Sequence, residues 1–366
     1  MAKMSGKKQV PFKAMKIWEI DRNWKGKDIP AGGEVHPDLV RFKDHWYCGF
    51  KETGRSRIIR SADGRKWETV KLMDWDGAFV GRPYISVTPE GALMIHTWIK
   101  PLRQADCAPC SGPKHDRAGN DRPAAPVKRY YITLFSLDGL NWGTACAHEA
   151  DLGFSVTWHN GVCYGVGLTG ALYYSCDGKS WQVLNRKIFP EREAALSMDP
   201  NDYANIPGTK RTACNETALY FNPHDDTSWA LTRTNPVCAI LGKSAGPRYQ
   251  EWTWHDLKVD WNGDGKLVPA HAAMGVQLGC PVMKCLSDGR VFGAGRADAS
   301  DATGNCSLAT LFWVDTDAAV LKVFAKLHGY GGYSGVVEHE GMLWVVCSNN
   351  TAGSGYDVFL IKVKIP

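Results

Sequence analysis

Three groups of residues in this chain have types and spacings that could do chemistry. Cys107 and Cys110 form a Cys-x-x-Cys pair with His115 and Asp116 close behind, a donor set that suits tetrahedral zinc. No second ligand pair follows at the spacing a closed site needs, so no metal and no organic cofactor is assigned, and the segment reads as a capping loop. His159 stands beside Asn160-Gly161; its ring titrates near neutrality, as general acid–base catalysis requires, while its plain reading is a turn-flanking residue. The third group is a pattern, Ser-x-Asp-Gly-x-x-Trp, at Ser61–Trp67, Ser136–Trp142 and Ser175–Trp181. Asp-Gly is a tight-turn pair, because Gly takes positive φ without strain and the carboxylate accepts from nearby backbone N–H groups. Asp63, Asp138 and Asp177 therefore read as structural.

The elements that must position such groups are short strands. An apolar run precedes each Ser, as in Ile58-Ile59, Tyr130 to Phe135 and Leu172 to Tyr174, and the Trp follows the turn at a fixed distance. Strand, turn and strand recurring along a chain indicate repeated β-units. Six blocks can be marked. The first spans about His36 to Val70, with a turn at Lys43-Asp44; the second begins at Pro83, and the third turns at Asn160-Gly161. The fourth holds Asn215 to Phe221, a turn at Asp225-Asp226 and an imperfect repeat ending in Trp252 and Trp254. The fifth starts at Pro281, and the sixth runs from Tyr333 to a turn at Glu340-Gly341.

Six units of four strands predict an all-β fold, a six-bladed β-propeller of four-stranded antiparallel blades. A pair of β-sandwiches would explain the recurrence less well. Residues 1–14 read as a tail and 15–366 as one propeller domain, with an insertion over 100–128 in the second blade. The run Met15 to Ile20 can pair with Asp357 to Ile365 in a single blade, which would close the ring and remove two exposed edges. Fifteen Trp, thirteen Tyr, 38 Gly and 19 Pro suit many strands joined by tight turns.

Net charge is +5, from 43 basic and 38 acidic residues that are dispersed, which argues against nucleic acid as the main partner. No apolar run reaches the length of a membrane span, so no membrane partner is expected. The N-terminus lacks the apolar core of a secretory signal, so the sequence reads as cytoplasmic, or as secreted or periplasmic if a signal has been removed. Twelve scattered Cys, many in strand-like runs, read as free thiols in preference to a disulfide framework. The oligomeric state is not written in the sequence.

With its repeats in this order, the chain resembles the sialidase superfamily, whose propellers carry Asp-boxes close to the pattern above. The resemblance covers residues 34 to 366. In that family a Glu in an Asn-Glu-like motif opens the fourth blade, an Arg follows in the next strand, a second Arg lies in the fifth blade and a Tyr-Ser opens the sixth. The matching residues here are Glu216, Arg233, Arg296 and Tyr333. The resemblance implies a retaining mechanism with Tyr333 as nucleophile and Glu216 as its base, and with Arg233 and Arg296 gripping a substrate carboxylate. A phenol avoids the repulsion that an anionic nucleophile would meet at an anomeric centre bearing a carboxylate.

The chain also departs from the family. Val35 stands where the first-blade Arg belongs, and Arg82, before Pro83, offers a substitute for substrate binding. Glu52-Thr53-Gly54-Arg55 runs into the first repeat without the family's acid Asp. The carboxylates available for that work are Asp38, Glu52 and, from the insertion, Asp106, Asp116 and Asp121. The reading is a sialidase-like glycoside hydrolase with a carbohydrate partner, acting on a glycoside of sialic acid, a related keto-sugar acid or a uronic acid. Its rivals are a polysaccharide lyase or uronate-directed glycosidase on the same propeller, and a non-catalytic glycan-binding propeller.

Overall fold

The computed structural model describes residues 12–20, 23–24, 27–28, 35–52, 54–101, 129–190, 213–235, 238–246, 248–275, 277–297, 308–331, 335–349 and 357–366. They form six β-sheets arranged as the blades of a propeller, and a separate two-stranded ribbon of Asn23–Trp24 and Lys27–Asp28. Blade one is Asp38–Phe42, His45–Lys51, Ser56–Ser61 and Glu68–Met73, each strand antiparallel to the one before. Blades two, three and four begin with inner strands Tyr84–Val87, Thr157–His159 and Ala213–Phe221. The inner strands of blades five and six are Leu278–Cys285 and Gly335–His339. In blade six Phe12–Trp18 pairs with Val358–Lys364 as the outermost strand, so the two ends of the chain share one sheet and close the ring as the sequence led us to expect, except that the strand takes in Phe12, Lys13 and Ala14 from the expected tail, their backbones paired with Val363, Lys362 and Ile361.

Two blades carry additions to the four-strand plan. Ala78–Val80 pairs with the far end of Leu93–Pro101 in blade two. A hairpin of Lys258–Asp260 and Leu267–Pro269 extends blade five to six strands, its first strand running parallel to Val320–Leu327. The short helix Ala270–Met274 follows it.

The hairpin turns fall where their sequences place them. Lys43 and Asp44 have φ of 45° and 61°, Asn160 and Gly161 47° and 78°, and Glu340 and Gly341 52° and 69°, the positive values that two-residue turns of a twisted hairpin demand. The three Ser-x-Asp-Gly turns join the third and fourth strands of blades one, two and three. In the first, Asp63 Oδ1 accepts from Arg65 N at 2.8 Å and Lys66 N at 3.1 Å, while Ser61 Oγ accepts from Gly64 N at 2.8 Å. Trp67 Nε1 donates to Gly64 O at 3.0 Å, and Trp181 to Gly178 O at 3.2 Å. The imperfect repeat of blade four keeps this last contact, with Trp252 Nε1 on Tyr249 O at 2.9 Å.

Glycine in these turns has a second cause besides its positive φ. A Cβ on Gly64 would lie 2.5 Å from the Trp344 ring of blade six, and one on Gly139 would lie 2.0 Å from the Tyr47 hydroxyl of blade one. One on Gly178 would meet Met94 of blade two at 2.7 Å. Each turn thus lies flat on a side chain of the preceding blade and fixes the spacing between blades. The apolar core is divided accordingly into clusters between neighbouring blades. Phe42, Tyr47 and Ile58 of blade one pack on Ile85, Leu93 and Ile132 of blade two, and Trp46 stacks on Trp344 at 4.1 Å across the blade one–six boundary.

Candidate functional site

Wedge packing leaves the axis open. A channel of about 530 Å³ is lined by the inner strands of all six blades, including Asp38–Arg41, Ile85–Val87, Ala218–Phe221 and Val282–Cys285. The charged groups inside it are already engaged. Asp38 accepts from Leu39 N at 2.9 Å and Ile85 N at 3.0 Å, tying blade one to blade two. Lys284 Nζ donates to Val336 O at 2.8 Å, and burial pushes its pKa down.

At the end of the ring where the inner strands start, a cavity of about 170 Å³ collects a different set of groups. It is lined by His36, Lys51, Arg82, Tyr84, Trp98, Arg129, Tyr131, Glu216 and Cys280, among others. Strand direction explains the choice of end. Each inner strand begins here and each second strand returns here, so first- and second-strand side chains converge, while the Ser-x-Asp-Gly turns fall on the opposite face.

Two β-bulges shape the site. The inner strand of blade four is irregular between Cys214 and Thr217, and that of blade five between Gly279 and Val282. A bulge leaves residues out of the ladder and re-aims them. In blade four it presents Glu216, whose N–H is taken by Asn215 Oδ1 at 2.6 Å. In blade five it releases the N–H of Cys280, which donates to Glu216 Oε2. Cys280 has φ of 40°, a left-handed conformation that costs a non-glycine residue about 1–3 kcal/mol. The rest of the site must hold it there.

Arg233 and Arg296 lie in the second strands of blades four and five, Arg233 opposite its bulge and Arg296 one residue beyond the other. Arg233 Nη1 donates to Glu216 Oε1 at 2.8 Å and its Nη2 to Gln277 Oε1. Arg296 is opposite Gly279, where a Cβ would lie 3.0 Å from its Nε, so a side chain there would press on the guanidinium. Arg82 Nη1 donates to Cys280 Sγ at 3.2 Å and Nη2 to Pro37 O at 3.2 Å, and its guanidinium sits 4.5 Å over the Tyr84 ring. Tyr84 donates to Gly153 O at 3.0 Å and stacks on His96, whose Nε2 meets Phe154 O at 2.7 Å.

The field in the cavity is positive. Burial together with Arg82, Lys51 and Arg296 pushes the His36 pKa well below the usual imidazole range. Burial and Glu216 raise the Cys280 thiol well above the ordinary value, and burial does the same for the Tyr84 phenol. Burial takes His96 down to about 3.

The structure therefore brings Arg82, Glu216, Arg233 and Arg296 into one neighbourhood. Glu52 is elsewhere: its buried carboxylate accepts from Arg55 Nε at 2.7 Å and from Arg57 Nε at 2.9 Å, and it does not line the cavity. His159 is on the other face, 3.0 Å from Asp226 and stacked on Phe221. Tyr333 lies outside the described residues, as do Asp106, Cys107, Cys110, His115, Asp116 and Asp121. Among the described residues no His, Cys, Asp and Glu cluster could hold a metal ion, and the nine described cysteines are free. No helix among them is long and apolar enough to cross a membrane. Sequence reasoning missed His36, Tyr84 and Cys280. The signal was the neighbourhood of Pro37, Pro83 and Pro281, each next to a cavity residue at the start of an inner strand.

No protein-family model matches the sequence, and no curated protein does either. The fold is shared with solved structures. A protein of unknown function from Dyadobacter fermentans superposes with a TM-score of 0.66 at 13% identity, over 96% of this chain and 99% of that one. The GH93 alpha-L-arabinofuranosidase of Fusarium graminearum, complexed with arabinobiose, gives 0.59 at 11% identity over 96% and 97%. The NanB sialidase from Streptococcus pneumoniae gives 0.57 at 11% over 93% and 70%. By fold, this chain is a six-bladed β-propeller like those of these solved structures. At such identities the likeness defines the architecture, and the substrate has to be argued from the site.

Proposed function

We propose that the chain is a glycoside hydrolase acting on a glycoside of a carboxylated sugar. The observation that carries this reading is the charge of the cavity. Lys51, Arg82 and Arg129 line it with Glu216 as the single carboxylate among the described lining residues, and Arg233 and Arg296 stand behind. A surplus of guanidinium in a buried, concave site suits a planar anion, which can pair with two N–H groups at once. Arg82 and Arg296 are the carboxylate clamp in this reading, and Arg233 orients Glu216 through the 2.8 Å contact. Tyr333 as nucleophile with Glu216 as its base is carried by the family resemblance together with the placement of Glu216.

The test is hydrolysis of methylumbelliferyl glycosides of N-acetylneuraminic, ketodeoxynonulosonic and glucuronic acids, beside a methylumbelliferyl arabinofuranoside. Turnover of one of the acids, lost in Tyr333→Phe, is the expected result. Turnover of the arabinofuranoside alone would replace the acid with a neutral furanose, and ultraviolet-absorbing unsaturated products would replace hydrolysis with elimination.

A further inference from the structure

We propose that His36 is the general acid–base of this site, the group that protonates the departing glycosidic oxygen. The assignment rests on the glycosidase reading above. It begins from position. His36 lines the cavity with Arg82, Tyr84, Trp98, Glu216 and Cys280, and it immediately precedes Pro37, which restricts the backbone of the residue before it. The Pro37 carbonyl in turn accepts from Arg82, so the backbone carrying the imidazole and the proposed carboxylate clamp are fastened to each other.

The other described candidates are committed to structure. Glu52 serves Arg55 and Arg57, Asp38 caps two backbone amides, and Asp151 accepts from the Tyr131 hydroxyl. Glu216 is held by Arg233 and the Cys280 N–H, which suits a carboxylate kept ionised as a base and not one that must carry a proton. Tyr84 and Cys280 ordinarily titrate above neutrality, and burial pushes both further up. The imidazole is the group in this cavity whose ordinary titration lies near neutral pH.

The charges around His36 make its protonation depend on the substrate. Lys51 faces it from blade one, Arg82 and the Tyr84 phenol from blade two, Glu216 from blade four, and Cys280 and Arg296 from blade five. Burial disfavours the imidazolium most, and Arg82, Lys51 and Arg296 disfavour it further by repulsion. A carboxylate docked on Arg82 and Arg296 offsets that repulsion and raises the proton affinity of the ring, so an anionic sugar arms the acid and a neutral one does not. In the first step the imidazolium gives its proton to the glycosidic oxygen. The bond from that oxygen to the anomeric carbon breaks with its electron pair going to oxygen, and the enzyme nucleophile's oxygen bonds to the carbon as its proton passes to Glu216. In the second step the neutral imidazole takes a proton from water as the water oxygen attacks the anomeric carbon, and the nucleophile departs and takes its proton back from Glu216.

The experiment compares two glycosides of the same carboxylated sugar, one with an acidic methylumbelliferyl leaving group and one with an alkyl alcohol. His36→Gln is expected to lose roughly 10²–10⁴-fold in kcat/KM on the alkyl glycoside. On the aryl glycoside, whose leaving group needs little protonation, its glycosylation rate should be nearly unchanged in single-turnover measurements. His36→Asp should restore part of the alkyl activity with the pH optimum moved to lower pH. Equal losses on both glycosides, or none on either, in a His36→Gln protein with wild-type circular dichroism would overturn the assignment and leave the glycosidase reading standing. If His36→Gln does not fold, the His36→Asp pH profile decides, and a profile identical to wild type overturns the proposal. Wild-type protein that turns over no carboxylated glycoside would remove the function reading itself, and this assignment with it.

Discussion

Glu216 and Glu52 look alike in isolation. Both are buried carboxylates, 7% and 2% exposed, and both are paired with guanidinium groups. Their surroundings separate them. Glu52 accepts from Arg55 and Arg57, which are close in sequence and partly exposed, and the cluster closes a corner of blade one without reaching the cavity. Glu216 has one local partner, Arg233, and one from another blade, the Cys280 N–H, and it opens onto the cavity. A buried ion pair is therefore not a sign of function; what matters is whether the structure leaves the charged group a face to use.

That contrast can be broken by four experiments. Glu216→Gln should lower turnover by roughly 10²–10⁴-fold while the protein stays folded, read from kcat and circular dichroism on one sample. Glu52→Ala should do the reverse. Leaving two guanidiniums without their carboxylate should cost about 3 kcal/mol in urea unfolding, with activity per folded molecule unchanged. A loss of activity without a loss of stability at Glu52 would erase the distinction.

His96 sharpens the comparison through pH. Its folded pKa of about 3 lies below the unfolded value near 6.5, so between those values the unfolded chain binds the extra proton. The stability contributed by keeping the ring neutral is complete above about pH 6.5 and is lost as pH falls toward 3, by roughly 1.4 kcal/mol for each pH unit. Urea midpoints at pH 7.5 and 5.0 should show the fall, and His96→Gln should flatten it.

The smallest effect belongs to the opposite face. Asp177 and Asp63 have their pKa lowered to about 2 by the backbone N–H groups and the Ser hydroxyl they accept from. Their contribution is complete above about pH 4 and is lost as pH falls through 2. Asp177→Asn should lower the melting temperature by only a few degrees and leave kcat untouched.

The blades were legible because their signals are local. Ser, Asp, Gly and Trp in one repeat bond to one another across two or three residues, so their spacing in the chain already states their geometry. Positive-φ hairpin pairs such as Asn160-Gly161 are readable for the same reason. The candidate site was legible only in part. Glu216, Arg233 and Arg296 were reachable through their order among the repeats, and Arg82 through its neighbouring Pro83. His36 passed unnoticed although the positions on either side of it, Val35 and Pro37, were weighed.

The physical reason is that a turn is an interaction within a strand pair, whereas a cavity is made by strands that share no sequence neighbourhood. By itself the sequence determined the six repeated units, their turns and the strand that closes the ring, since each follows from backbone preferences and short-range hydrogen bonds. Only the tertiary structure decided that the Glu216 carboxylate would meet an amide 64 residues away, and that Glu52 would be enclosed. It also decided that cations from blades one, two and five would surround His36. Charge, burial and access depend on which blades become neighbours, and that is fixed by packing across the ring.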